Sequence, residues 1–152
     1  MKTIKKLAED IRVCMMITEA EESARPMATI KVDSDDSLWF FTNRFSGKVH
    51  EINEDMDVRL IYCHPGKESY MDLRGKAMIS TDKAMIKEKW SPMAKPWFPG
   101  GVYDPDICLI KVTPLAAYYW DSGTSKMVTL MKMAAAAATG KQFEGGEEGK
   151  VF

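Results

Sequence analysis

The feature that most constrains this chain is a series of short β-rich runs set too close together for helices to lie between them. VCMMITEA (Val13 to Ala20), RPMATIKVD (Arg25 to Asp33) and SLWFFTN (Ser37 to Asn43) are separated only by EAEES and DSDDS. Such short polar segments suit tight turns, so the spacing predicts an antiparallel meander. DVRLIYCHP (Asp57 to Pro65) adds a strand. After the turn Pro65-Gly66-Lys67, SYMDLRGKAMIST reads as a long strand with a bulge or bend at Gly75. ICLIKVTP and LAAYYWDS, Ile107 to Ser122, read as two more strands meeting at Pro114. Six or seven strands without regular βα alternation predict a mainly β fold with peripheral α, an antiparallel barrel rather than a doubly wound sheet.

The helical patterns are peripheral. Ile4, Leu7, Ala8 and Ile11 recur at helical spacing within Thr3 to Arg12, and Gly47 to Asp55 can form a short helix with Val49, Ile52 and Met56 on one side. Asp82 is placed to cap DKAMIKEKW. The Ala-rich run KMVTLMKMAAAAATG predicts a helix ended by Gly140. One domain over residues 1–140, followed by a flexible tail over 141–152, is expected for a chain of 152 residues. Ser91 to Asp106, with four of the seven prolines, is longer than an ordinary connector and reads as a functional or interface loop.

Composition removes several functions. With 21 basic and 22 acidic residues the net charge is −1, which offers no broad footprint for nucleic acid or an anionic membrane surface. Cys14, Cys63 and Cys108 form no CxxC pair and lie in apolar runs, as reduced core thiols of a cytoplasmic protein would. No segment approaches the ~20 apolar residues of a membrane helix. His50 and His64 have no partners at metal-ligand spacing, and no nucleophile motif is present, so no metal and no catalytic residue is assigned.

Two constellations remain. Arg44, Ser46, Gly47 and Lys48 stand where a strand hands over to a helix, and a helix N-terminus with cations beside it can hold a phosphate. Ser46 as a plain helix cap explains the same residues. Trp39, Phe40 and Phe41 are consecutive, so both faces of their strand need cover. Core packing supplies it, or a flat ligand or a dimer partner. Trp90, Trp97 and Trp120 lie in or near the long loop and the last strand, where they either pack or stack on such a ring.

Read in order, RPMAT (Arg25 to Thr29), LWFFTNRFSGKV (Leu38 to Val49) and YMDLRGKAMI (Tyr70 to Ile79) resemble the flavin-binding split barrels related to pyridoxamine 5′-phosphate oxidase. WFPGG (Trp97 to Gly101) with DPDICLIKVTP and AAYYWDS is similar to the bacterial general-stress-protein branch. The resemblance implies a homodimer of six-stranded split barrels with FMN at the interface and redox activity toward an unidentified small molecule. It assigns the flavin phosphate to Arg25, Ser46 and Lys48 with Gly47. The isoalloxazine edge falls to backbone around Met27, Ala28, Phe41 and Thr42. Tyr70 is a further flavin contact, and Trp97 or Trp120 covers the ring from the second subunit. Two departures weigh against pyridoxamine-phosphate oxidation. Ile30 stands where the oxidase uses a phosphate-binding lysine, and DSGTSKM follows Trp120 in place of an Arg-Leu-His signature. Flavin binding or storage without turnover, and a deazaflavin- or haem-binding relative on the same barrel, are the alternatives.

Overall fold

The computed structural model describes residues 4–18, 24–44, 52, 56–120 and 127–131. Helix α1 (Ile4–Ile11) buries Ile4, Leu7 and Ala8 against the sheet, the face its spacing predicts. It leads through Arg12 into β1 (Val13–Thr18), β2 (Arg25–Val32) and β3 (Leu38–Asn43), then β4 (Asp57–His64) and β5 (Ser69–Ser80). Helix α2 (Lys83–Lys89) starts at Asp82, whose Oδ1 accepts the Ala84 N–H at 3.2 Å. Strands β6 (Ile107–Trp120) and β7 (Met127–Met131) complete the order.

All strands are antiparallel, in the order β3-β2-β1-β4-β5-β6-β7, and β6 also pairs back onto β3. That last ladder, from Leu38↔Val112 to Asn43↔Ile107, closes a six-stranded barrel. Closure removes the open edges a meander of this size would otherwise present. Leu38, Phe40, Leu60, Tyr62, Leu73 and Tyr119 fill the interior, each at most 1% exposed. Tyr62 is buried with its hydroxyl 2.6 Å from Thr29 Oγ1, and burial raises its pKa well above the ordinary phenol value.

Gly75 sits at the expected irregularity. Register shifts between Arg74 and Gly75, where Arg74 pairs Ala116 and Gly75 pairs Pro114, so Leu115 of β6 is the extra residue. A Cβ on Gly75 would stand 2.6 Å from the Thr113 carbonyl oxygen, which only glycine avoids. The bulge also accommodates Pro114, so Ile107 to Trp120 forms one bent strand rather than two.

Two other expectations are corrected. Met127–Met131, read as part of a helix, is strand β7, paired with Ala116–Trp120. The upper half of β6 would otherwise leave ladder groups unsatisfied, and edge pairing overrides the helical propensity of the run. Its continuation to Gly140, the 141–152 tail, the EAEES turn and most of the Gly47–Asp55 helix lie outside the described residues; Ile52 is helical and 1% exposed. Among the thiols, Cys14 and Cys108 are buried, but Cys63 is exposed because it falls on the outward positions of β4.

The two-faced strand β3 is covered by the chain itself. Leu38 and Phe40 point into the barrel, while Trp39 and Phe41 join Ile86, Ala94, Phe98, Ile107 and Leu109 in a second, outer cluster. The segment from Ser91 to Asp106 thus folds down through short turns at Pro92–Ala94 and Gly101–Tyr103 as an outer layer.

Candidate functional site

Strands β2 and β3 pair only from Thr29↔Phe40 to Val32↔Leu38, with Ile30 as an extra residue in the ladder. Beyond that bulge the strands part, and among the described residues Pro26–Ala28 and Phe41–Asn43 have no register with each other. Pro26 brings no N–H to the separated edge. The 91–106 segment roofs the gap, and the result is a cleft of about 840 Å³. This is toward the upper end of ordinary ligand pockets, roughly 300–1,000 Å³.

Met27, Ala28, Phe41, Thr42 and Trp97, five of the residues that the resemblance assigns to the flavin, line this cleft together. Phe41 packs against Trp90 at 5.7 Å and Phe98 at 6.4 Å between ring centroids, which fixes the inner wall. Trp97 is 72% exposed and stands at the rim of its own chain's cleft. Arg25 begins β2, next to the cleft residue Pro26. The chain leaves β3 at Asn43, also a cleft residue. Arg44 then binds the far end of the 91–106 segment through its N–H to Asp106 O (2.7 Å) and Nη1 to Pro105 O (3.2 Å). Ser46, Gly47 and Lys48 lie outside the described residues. Tyr70 and Trp120 face each other in register across β5 and β6, away from the cleft lining. Ile30 lines the cleft, whereas Lys31 Nζ donates to Glu88 O at 3.1 Å on α2.

Sequence reasoning missed Arg12, Val13, Asn43, Met93 and Phe98, all of which line the cleft. Asn43 and Phe98 lie within quoted motifs, so their neighbours were a usable signal. Arg12 offered none. It adopts φ 72, a conformation that arginine does not advertise. Behind the cleft wall, burial pushes the Cys108 thiol up to about 11 against the opposing charge of Arg44, so it stays protonated and inert at neutral pH.

The chain matches the family described as "Pyridoxamine 5′-phosphate oxidase like" over residues 1–144. It belongs to that family. A Neurospora crassa protein, bli-3, is 27% identical over 112 residues, which cover 68% of this chain and 54% of the relative. The match thus spans about half the length of that curated relative. Among solved structures, a Clostridium acetobutylicum protein related to general stress protein 26 superposes with TM-score 0.72 at 23% identity, covering 82% of this chain and 89% of the other. The general stress FMN/FAD binding protein of Xanthomonas citri gives 0.68 at 24% identity, covering 78% and 85%. At these identities the structures establish the fold, a split barrel.

Proposed function

We propose that this family member binds FMN with the isoalloxazine ring in the β2/β3 cleft, at the interface of a homodimer, and acts as an oxidoreductase on a small molecule. The observation that carries this reading is the cleft itself, where two parted strand edges, an aromatic wall and an exposed tryptophan meet. The donor set suits a flat heteroaromatic ring. Phe41 and Phe98 supply an apolar wall, and the separated backbone edges at Met27–Ala28 and Phe41–Thr42 offer hydrogen-bonding groups to its polar rim. The Xanthomonas citri protein, named as an FMN/FAD binder, supports the same assignment. A role in stress follows only from such names.

When bound, a flavin supplies two-electron oxidation and reduction. The chain's own part is to position the ring, exclude water from its inner face, and hold the phosphate with Arg25, Ser46 and Lys48 and the backbone at Gly47. Among the described residues, no carboxylate, histidine, cysteine or lysine lines the cleft, so none of these groups serves there as a general acid or base. That feature favours, as a second reading, a flavin carrier without turnover. Tyr70 and Trp120 reach a cleft only from a second copy. Pyridoxamine-phosphate oxidation is disfavoured because Ile30 brings no charge to the cleft.

The test is titration with FMN and riboflavin, followed by flavin fluorescence. Lys48→Ala should weaken FMN by about 10- to 150-fold and leave riboflavin nearly unchanged, since a charge-assisted bond contributes roughly 1.5–3 kcal/mol. Failure of the intact chain to bind either flavin would refute the reading. Reduction by NAD(P)H with transfer to an acceptor separates the enzyme from the carrier.

A further inference from the structure

Among the described residues, Arg12 is the one ionisable side chain lining the cleft. Its guanidinium Nη1 points to Met93 Sδ, a neutral and weak acceptor. Glu9, which shares an adjoining depression with Arg12, is engaged by Lys5 Nζ at 3.2 Å. Among the described residues, Arg12 has no carboxylate partner. Its backbone is nevertheless held firmly. At φ 72 it occupies the left-handed region that favours glycine, with its N–H donated to Ala8 O and its carbonyl accepting from Thr29 N–H, both at 2.8 Å. Glycine would end α1 there at lower cost. The chain instead keeps an exposed cation in left-handed backbone at the mouth of a cleft whose other described lining residues are uncharged, and strain of this kind gathers at functional positions.

The shape of the site restricts what that cation receives. Guanidinium presents a planar fork that matches a carboxylate with two parallel hydrogen bonds. One such group balances one negative charge. The surrounding Val13, Ile30, Met93 and Trp97 present apolar surface to the rest of the ligand. We propose that the molecule bound beside the flavin is a flat, apolar monocarboxylate whose carboxylate is received by Arg12. The inference rests on reading the cleft as the flavin site, and it names the substrate class of that site.

The experiment titrates FMN-loaded protein with 2-naphthoate and with the neutral isostere 2-naphthamide, by calorimetry. The intact chain should prefer the acid by at least about 10-fold. Arg12→Gln should weaken 2-naphthoate about 10- to 100-fold while 2-naphthamide, FMN and riboflavin change by less than about twofold. Arg12→Lys should keep part of the preference, as a point charge without the fork. Three results overturn the inference: no acid preference in the intact chain, including no binding of 2-naphthoate at about millimolar concentration; equal losses for acid and amide in Arg12→Gln; or loss of FMN but not riboflavin, which would make Arg12 a phosphate anchor. If the chain takes no FMN, the same titrations on the flavin-free protein separate the two ideas. An Arg12-dependent acid preference there upholds the carboxylate site and discards the flavin alone.

Discussion

Trp39 shows how much one outward-facing aromatic can organise. Its indole N–H donates to Asp33 Oδ2 at 2.8 Å, and Asp33 Oδ1 accepts from Lys89 Nζ at 2.9 Å. Lys89, at the end of α2, also lies 4.6 Å from the centre of the Trp39 ring. Burial alone would raise the Asp33 pKa, but the hydrogen bonds from Lys89 and Trp39 and the charge of Lys89 outweigh it and hold the carboxyl below its ordinary value. A lowered folded-state pKa contributes stability that is complete above the unfolded value of about 3.9 and lost as pH falls through the folded one. Urea midpoints should therefore fall between pH 6 and pH 3, and Asp33→Asn should flatten part of that fall. An unaltered acid limb in the variant would remove Asp33 from the account. The adjacent pair Trp97 and Phe98 makes a second contrast. Phe98, 6% exposed, is a core residue, and Phe98→Ala should cost about 3–5 kcal/mol of unfolding free energy. Trp97→Ala should change stability by less than about 0.5 kcal/mol, yet weaken flavin binding. Nothing in the letters WF distinguishes these neighbours, because burial here depends on where a proline-rich segment lands.

At the level of elements, local pattern carried further than expected for β5 and failed for the last part of the chain. Alternation in SYMDLRGKAMIST announced a long strand, and its lone glycine announced the irregularity. The partner residue Leu115 was not legible, since a bulge is a property of two strands and the sequence offers one at a time. Pro114 invited a division of β6 that the bulge makes unnecessary. Strand β7 was hidden because its partner, the free upper half of β6, exists only in three dimensions. The bulge is testable. Gly75→Ala forces a Cβ against the Thr113 carbonyl and Val112 Cγ1, 2.6 and 2.9 Å away, and overpacking of this kind costs about 1–3 kcal/mol. Urea unfolding should report a lower midpoint. An unchanged midpoint would mean that β6 slides past the bulge without loss.

For the molecule as a whole, an antiparallel barrel of six or seven strands was readable from strand count and spacing, but the cleft was not. It arises where β2 and β3 separate beyond the Thr29↔Phe40 pair, a consequence of register rather than composition. Val13, Met93 and Trp97, 49%, 42% and 72% exposed, put apolar surface at its mouth beside Arg12. A second copy of the chain is the expected cover, so sedimentation velocity at about 10 μM, a concentration at which a specific interface persists, should give twice the 17.1 kDa chain mass. A monomer that holds flavin tightly would contradict the shared site. The ladder joining β3 to β6 has a temporal counterpart. Asn43 must find Ile107, and Leu38 must find Val112, before the outer face of β3 acquires its wall. Long-range pairing of this kind sets folding on the ms-to-second scale. The cleft proposed for the flavin is thus assembled at the end of the search and cannot guide it. In stopped-flow experiments FMN should leave the refolding rate unaltered while slowing unfolding, so the ligand acts as a late lock on a barrel that has already closed.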